Sequence, residues 1–536
     1  MDEANKILDF LAALRARGVQ LRVEDENIHY RSLEGTLTNL DIEILRQRKA
    51  EILKILNTGR FPSVDDDDLK YCPQPWPAPV RHCYVPATLF QSSFVEAYES
   101  LFDPLYLHVW FAIRTSRIPD VGLLREIVRM LVKRHEVLRS TCVRRADGKI
   151  EFHISEGMDI EIEEVSANDF PHLQSEADLP QLVAAYARKR FDLSAGPLLR
   201  IGIVKRTRSD LAVVLVVHHC ICDGQSLSIL SAEMTAISAA LSAGVVPELP
   251  RLPGRYADFV MSQRCWLETP EAARRLEYWR SRLANIVFPC QLPIDRKPPV
   301  DLWAKHFRTD GSVPETVVAA IHRLSRLEST SPFIVVLTCF AVLLHAWSER
   351  SDALMWVCHA GRRQPQLINI VGCFLDMWPL RTHIEKDMAF LSVMRAVRDA
   401  YIEALPHLDI PGLLILQKLP KAAREASIPM SFFNFLPLDW ASREQTVSSR
   451  TIGGAPSDSI EIMQDGSIPD NGYLDPECGN SFNINVYDRT DSIRWIIRHN
   501  PALFEDETIA EMSKHLSRVL TQVSINPNVY VSQLNR

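Results

Sequence analysis

The sequence has no apolar run long enough to cross a bilayer. Its longest nearly apolar stretch, Phe333 to Trp347, falls short of the ~20 residues that a spanning helix needs and reads as a buried core helix. Positive charge is not in excess either: 60 Lys and Arg stand against 67 Asp and Glu, for a net charge of -7. Nucleic-acid and membrane-surface partners select a strongly basic footprint, so neither partner is expected. Met1 to Phe10 lacks the basic segment, apolar run and small-residue cleavage site of a secretory leader. The 11 cysteines are odd in number and scattered from Cys72 to Cys478, without the spacing of a disulfide framework. Together these absences predict a cytoplasmic protein with reduced thiols. A phosphate-binding GxxxxGK(S/T) loop is missing, as is any internal period of about 20 to 50 residues, which argues against a P-loop enzyme, a solenoid or a propeller.

What is there is the composition of a globular protein, with 46% hydrophobic and 24% charged residues in a chain of 536. That length is enough for two or three domains with substantial cores. Residues 1–57 form a self-contained pattern. Ile7, Leu8, Leu11 and Leu14 recur at helical spacing, with Gly18 as a stop. Val19, Leu21 and Val23 alternate with Gln20, Arg22 and Glu24; after the polar turn Asp25-Glu26-Asn27, Ile28 and Tyr30 alternate again, which predicts a β-hairpin. Thr38, with Asp41 beyond it, makes a variant capping box for a helix whose apolar face is Leu45, Ile52, Leu53 and Leu56.

Residues 58–79 carry the run Asp65-Asp66-Asp67-Asp68 and then Pro73, Pro75, Pro77 and Pro79. Like charges and prolines in sequence give a solvated, extended linker, with a basic partner as the second role. Beyond the linker, helical and strand patterns alternate in an α/β (α+β) arrangement. Leu211 to Val217 is continuous, apolar and β-branched, the pattern of a strand covered on both faces. A helix is expected from about Ser226 to Leu241, and Pro247 to Pro253 marks a seam between residues 80–250 and 251–536. Ser442 to Asn480, rich in Ser, Gly, Asp and Pro, is expected as a long surface excursion.

Directly after the apolar strand the chain runs His218-His219-Cys220-Ile221-Cys222-Asp223-Gly224. Ionisable groups at a strand end before a helix are placed to line a cleft. An imidazole there, near-neutral at working pH, accepts or relays a proton. Asp223 is suited to hold a neighbouring cation or orient the loop. Gly224 suits a backbone shape or close approach that a β-carbon forbids, and the positive end of the following helix suits a developing oxyanion. Two other roles compete with catalysis. The histidines satisfy structural hydrogen bonds, or His218, His219, Cys220 and Cys222 supply metal ligands. Adjacent residues of a strand point to opposite faces, so His218 and His219 do not easily share one ion, and no metal is expected.

HHCICDG resembles the HHxxxDG signature of condensation domains of nonribosomal peptide synthetases and their chloramphenicol-acetyltransferase-like relatives. Further blocks follow in the family's order. Arg134-His135-Glu136-Val137-Leu138-Arg139-Ser140 resembles RHExLRT, and Phe191-Asp192-Leu193 with Gly196-Pro197-Leu198-Leu199-Arg200 resembles FDLxxGPLLR. Tyr256-Ala257-Asp258-Phe259, Tyr278-Trp279 and Leu292-Pro293-Ile294-Asp295-Arg296 resemble the next blocks. Val371-Gly372-Cys373-Phe374 with Pro379-Leu380-Arg381, His407-Leu408-Asp409-Ile410-Pro411 and Phe433-Asn434-Phe435 resemble the last. The match covers roughly residues 80–536. Separately, Leu14-Arg15-Ala16-Arg17-Gly18-Val19-Gln20-Leu21 and Arg48-Lys49-Ala50-Glu51-Ile52-Leu53 resemble the tubulysin-type N-terminal docking domain.

The resemblance implies two chloramphenicol-acetyltransferase-like lobes in a V-shaped pseudo-dimer, residues 80–250 and 251–536, with the site in a tunnel between them. It implies an upstream carrier protein presenting an acyl or peptidyl thioester and a downstream carrier presenting an aminoacyl thioester, both on phosphopantetheine arms. No cofactor is bound by the chain itself. His219 is implied as general base or nucleophile-positioning group, His218 as structural, and Gly224 as a backbone donor near the oxyanion. Asp223 is implied to salt-bridge a buried arginine, with Arg139 as the matching candidate. The docking domain is implied to be an αββαα unit, often dimeric, so a homodimer is a further partner state. Its hairpin (Leu21, Arg22, Val23, His29, Tyr30 and Arg31) is implied to receive the C-terminal tail of the upstream protein by strand addition.

Several positions depart from the family pattern. Gln225 stands where Trp is common, Ser93-Phe94-Val95-Glu96 replaces Arg-Leu-Trp-Phe, Asp376 takes an Asn position, Trp378 is bulkier than usual, and Gly412-Leu413 replaces Phe-Glu. Subtype and substrate therefore stay open. An ester-forming enzyme of the same fold and a non-catalytic carrier-docking scaffold are the alternatives; a heterocyclising type is disfavoured by the intact histidine pair. Gly453-Gly454-Ala455-Pro456-Ser457 faintly resembles a carrier's phosphopantetheine site but is expected as loop. No adenylation domain is visible, and the chain ends about where a condensation domain finishes, as an excised fragment would.

Overall fold

The strand that carries the histidines is closed on both faces. The computed structural model describes residues 20–24, 27–31, 45, 48, 49, 52, 53, 83–100, 107–116, 119–171, 173, 178–284, 286, 292, 295, 296, 307–419, 431–436, 461–463, 482–488 and 491–534. The chain divides into one unit of Met1–Pro75 with Arg362–Ile368 and a second of Trp76–Gly361 with Asn369–Arg536.

In the first unit β1 (Gln20–Glu24) and β2 (Asn27–Arg31) pair antiparallel, with Leu21 opposite Tyr30, Arg22 opposite His29 and Val23 opposite Ile28. Strict alternation of apolar and polar residues produces this pairing, because a half-buried strand repeats every second residue. Leu45 and Ile52 are buried, as their helical spacing predicts. The helix expected at Ile7 to Leu14, the Thr38 capping box, Leu56, the turn residues Asp25 and Glu26 and the acidic linker run lie outside the described residues, as does the Gly453–Ser457 stretch.

In the second unit the N-terminal half runs β3 (Tyr84–Pro86), α1 (Leu89–Ser100), β4 (His108–Thr115), α2 (Val121–Arg134), β5 (Ser140–Arg144), β6 (Ile150–Ile154), β7 (Ile162–Ser166), α3 (Leu179–Arg188), β8 (Leu199–Thr207), β9 (Asp210–His218) and α4 (Gly224–Ser242). The C-terminal half runs α5 (Tyr256–Leu267), α6 (Pro270–Arg282), β10 (Phe307–Val313), α7 (Glu315–Leu327), α8 (Pro332–Ser348), β11 (Asp352–His359), β12 (Asp376–His383), α9 (Phe390–Ala404), α10 (Gly412–Lys418), β13 (Ser431–Leu436), β14 (Glu461–Met463), β15 (Phe482–Asp488), β16 (Ile493–His499) and α11 (Asp506–Ile525).

The first half is built on the ladder β14-β4-β9-β8-β7, the second on β10-β16-β15-β13-β11-β12. In β9 every residue from Leu211 to His218 is buried, since β4 and β8 flank it and α3 and α4 pack on its sheet. The continuous apolar run in the sequence is the counterpart of that double cover. At the centre of the second half stands α8, the stretch expected as a core helix. Ser331 caps it by accepting from the Ile334 amide (3.4 Å), Pro332 takes the first turn, and Ile334 to His345 are all buried. Among the described residues no single helix is long and apolar enough to cross a membrane.

The stretch expected as a surface excursion behaves differently at its described residues. Glu461, Ile462 and Met463 form β14, paired with Arg114, Ile113 and Ala112 of β4. A segment of the C-terminal half thereby completes the edge of the N-terminal sheet and satisfies edge amides and carbonyls that would otherwise face water. Polar composition did not signal this strand, because its three residues are too few to show a period.

The buried core helix contributes to the stability of the second half. Leu343 is fully buried on α8. Leu343→Ala is expected to lower unfolding free energy by about 2–5 kcal/mol, read by chemical denaturation.

Candidate active site

β9 ends at His218, a short helical turn covers His219–Ile221, and α4 begins at Gly224. Leaving the strand separates the two rings. His218 still lies in the ladder, opposite His108 of β4, and is fully buried. Its Nδ1 accepts from the Cys220 amide (3.2 Å), with the Cys220 sulfur at 2.9 Å, so the ring proton belongs on Nε2. Tyr98 meets the ring edge to face at 4.4 Å. Burial, followed by repulsion that a charged His218 would meet from His108, His219, Arg200 and Arg190, holds His218 well below the usual imidazole range.

His219 is only half-buried. The Phe94 ring, from the departure Ser93-Phe94-Val95-Glu96, lies 4.7 Å from it. Burial lowers its pKa, while its own carbonyl, the Asp223 carboxylate and the Cys222 carbonyl pull the other way. The result is an uncharged imidazole with access to its surroundings, at the N-terminal end of α4. Gln91 of α1 anchors the turn by donating to the Cys220 carbonyl (2.7 Å).

Asp223 ties this turn to the other half of the unit. Its Oδ1 accepts from the Ser226 amide (2.8 Å), capping α4, and its Oδ2 accepts from the Phe374 amide (3.0 Å). Ser226 Oγ donates to the Gly372 carbonyl (2.8 Å) and accepts from the Gly372 amide (3.0 Å). Tyr256 donates its hydroxyl proton to the Cys373 carbonyl (2.8 Å). A β-carbon on Gly372 would stand 2.0 Å from the Tyr256 ring, so the loop approaches this closely only with glycine there. Gly361 has φ +66, and a β-carbon on it would meet the Phe374 carbonyl oxygen at 1.8 Å.

Asp223 and Arg139, expected as an ion pair, have these partners: Asp223 accepts from the Ser226 amide with one carboxylate oxygen and from the Phe374 amide with the other. Arg139 folds back onto its own neighbourhood, donating to the carbonyls of Val132 (2.5 Å), Lys133 (3.1 Å) and Ser155 (3.0 Å). The reason is local: Arg139 follows α2 closely, and the last turn of a helix offers carbonyls without partners. Gly224 is the first residue of α4 in ordinary right-handed backbone, so no unusual φ requires glycine there.

The other family blocks converge on one another. Tyr278 stacks on His407 (3.7 Å, 4°), Trp279 donates to the His407 carbonyl (3.0 Å), and Arg275 pairs with Asp409 (2.7 Å). Trp378 fits against Trp279 and Tyr401. Sequence reasoning gave no role to Tyr98, His108 or Arg200, whose polar groups surround His218; an isolated buried His in a strand has no spacing signal.

The family model described as Condensation domain matches residues 106–536. This chain belongs to the condensation-domain family of nonribosomal peptide synthetases. The TubC N-terminal docking domain model matches residues 7–57. The chain is similar to phosphinothricin tripeptide synthetase PhsC of Streptomyces viridochromogenes, with 29% identity over 427 residues, 79% of this chain and 38% of that protein. It is similar to chondramide synthase cmdD of Chondromyces crocatus, with 26% identity over 426 residues, 78% of this chain and 10% of that protein. The chain thus spans well under half the length of these relatives. In fold it is similar to the X-domain from teicoplanin biosynthesis, with TM-score 0.68 at 21% identity over 86% of this chain and 99% of that one. The condensation domain of Monacolin K polyketide synthase MokA gives TM-score 0.67 at 18% identity over 85% and 100%. The fold is the α/β, chloramphenicol-acetyltransferase-like fold of condensation domains.

In this condensation domain the departure at Asp376 has a physical consequence. Its Oδ1 accepts from the amides of Met377 (2.7 Å) and Gly412 (2.9 Å), and a β-carbon on Gly412 would lie 2.1 Å from the Met377 carbonyl oxygen. The residue as a whole is half-buried but its carboxyl is enclosed, and burial outweighs the two amides, raising the pKa to about 7. An unfolded Asp ionises near 3.8, so between 3.8 and about 7 the folded chain holds the extra proton. The stability from this group is complete below pH 3.8 and lost as pH rises through about 7. Asp376→Asn keeps the acceptor and removes the charge. It is expected to stabilise the domain by roughly 2 kcal/mol at pH 8 and by little at pH 4.5, measured by denaturation at both pH values.

Proposed function

We propose that this domain joins a carrier-bound acyl or peptidyl thioester to the amine of a carrier-bound amino acid. The amine nitrogen attacks the thioester carbon and the carbon–nitrogen bond forms as the carbon–sulfur bond breaks. His219 takes the proton leaving the amine, or holds the amine so that it leaves, and the proton ends on the departing phosphopantetheine thiol. The products are an amide on the downstream carrier and a free thiol on the upstream one. No cofactor is needed, because the carriers bring the activated group.

The observation that supports this reading is the contrast within the histidine pair. His218 is closed in, whereas His219 is uncharged and only partly buried beside the first turn of α4. A neutral imidazole is a base in waiting, and helix-terminal N–H groups, Gly224 among them, suit the oxyanion that forms on the thioester carbonyl. Asp223 acts by holding the turn, and His218 by packing. Residues 1–57 act as the docking domain, 58–79 as a tether, and 80–250 and 251–536 as the lobes. The upstream protein's C-terminal tail adds as a strand along the hairpin, with Leu21, Arg22, Val23, His29, Tyr30 and Arg31 selecting it, and the docking domain offers a homodimer contact.

With an upstream carrier loaded with an acyl panel and a downstream carrier loaded with amino acids, intact-mass spectrometry is expected to show the condensed product. His219→Ala is expected to lower its rate by about 100-fold or more without loss of fold. Product surviving in that variant contradicts the role of His219. Product with hydroxyl acceptors alone points to ester formation, and no product from any pair points to a binding scaffold.

A further inference from the structure

Behind His218 lies a buried cation with no carboxylate bonded to it among the described residues. Arg200 of β8 is 8% exposed. Its guanidinium carbon lies 4.2 Å from the Phe191 ring centre and 5.5 Å from that of Tyr186, and one nitrogen donates to the Ala187 carbonyl (2.9 Å). Nε has no hydrogen-bond partner among the described residues. The carboxylate beyond Tyr186, Glu163, is held by Lys189 (2.9 Å) and by the Tyr186 hydroxyl (3.1 Å).

The same Ala187 carbonyl accepts from His108 Nδ1 (2.7 Å). The Phe191 amide donates to the Tyr98 oxygen (2.7 Å), so the Tyr98 hydroxyl proton goes to His108 Nε2 (3.0 Å). These bonds specify a neutral His108 protonated on Nδ1. His108 faces His218 edge to face at 5.8 Å, and Phe191 meets both rings (4.8 and 6.1 Å). A second guanidinium, Arg190, lies 4.8 Å over Tyr98 and donates to its carbonyl (2.6 Å). His218 is thus faced by His108 from β4, Tyr98 from α1, Arg190 and Phe191 from the segment after α3, Arg200 from β8, and His219 and Cys220 from its own turn.

We infer that Arg200 is a positioning residue for condensation: its ring-seated guanidinium, facing His108 across one carbonyl oxygen, adds to burial in keeping the His108–His218 pair uncharged, so His219 has no charged imidazole at its back. A proton on either ring would stand against a buried like charge in a low-dielectric setting, where such repulsion is least screened. Burial first, and the Arg200 charge second, bring His108 to about 3. Cation–π contact with Phe191 and Tyr186 holds the guanidinium there without neutralising it. With the pair locked neutral, protonation of His219 alone sets the acid limb of the rate. This rests on the reading of His219 above.

The test is a pH titration of the full chain labelled with 13Cε1-histidine, with His108 assigned from its His108→Gln variant. In the wild type the His108 ring is expected to stay neutral down to pH 5. Arg200→Gln keeps an amide donor for Ala187 and drops only the charge. There His108 is expected to titrate at a midpoint raised by at least one pH unit, and the acid limb of carrier condensation to move up with it. Arg200→Lys restores both. A wild-type His108 that titrates above pH 5 overturns the inference whatever the variants do, as does Arg200→Gln with an unshifted ring and an unmoved acid limb. Failure of the His219 role instead shows as product in His219→Ala and leaves the ring titration untouched.

Discussion

Asp223 is bonded in two directions at once, and the arrangement of the histidine turn follows from that. One carboxylate oxygen caps α4 through Ser226, and the other reaches across to the Phe374 amide of the second half. Both of these partners are amides, so the carboxylate is held against fixed dipoles, where charge-assisted bonds are strong and leaving one unmade is costly. Ser226 and Tyr256 repeat the crossing at Gly372 and Cys373, and Gly372 leaves the room for it. The chain therefore specifies not only two sheets but the register of one against the other at the point where the histidines emerge.

From that fixed turn the two imidazoles separate in chemistry. A strand continued by one more residue would bury both or expose both on opposite faces. The helical turn at His219 breaks the alternation, leaving His218 in the ladder and His219 beside the start of α4. Burial keeps both neutral, while the aromatic and cationic wall of Tyr98, Phe191, His108 and Arg200 encloses only His218. In the proposed reaction, an inner ring held neutral supports an outer ring that exchanges a proton.

Much of this was legible in the residues. The unbroken apolar run of β9, the periodic helix after it and the core helix α8 each lie within a residue or two of their expected places, because burial on both faces writes itself into composition. The hairpin pairing of Leu21 with Tyr30 and Arg22 with His29 follows from alternation alone. The long-range partners were not legible. The carbonyls at the end of α2 that Arg139 donates to left no mark in the sequence. Phe94, one of the departures from the family pattern, faces His219. Bonds to backbone amides, such as Asp223 to Phe374, leave no trace in side-chain spacing, and β14 is too short to show a period.

Hydrogen exchange read by mass spectrometry across residues 370–376, in the wild type and Asp223→Ala, tests the clamp most directly. If Asp223 holds the two halves at this point, the amides of Gly372 and Phe374 exchange slowly in the wild type and lose that protection in the variant, while β10, β15 and β16 keep theirs. Unchanged exchange at Gly372 and Phe374 in a folded Asp223→Ala protein would contradict it.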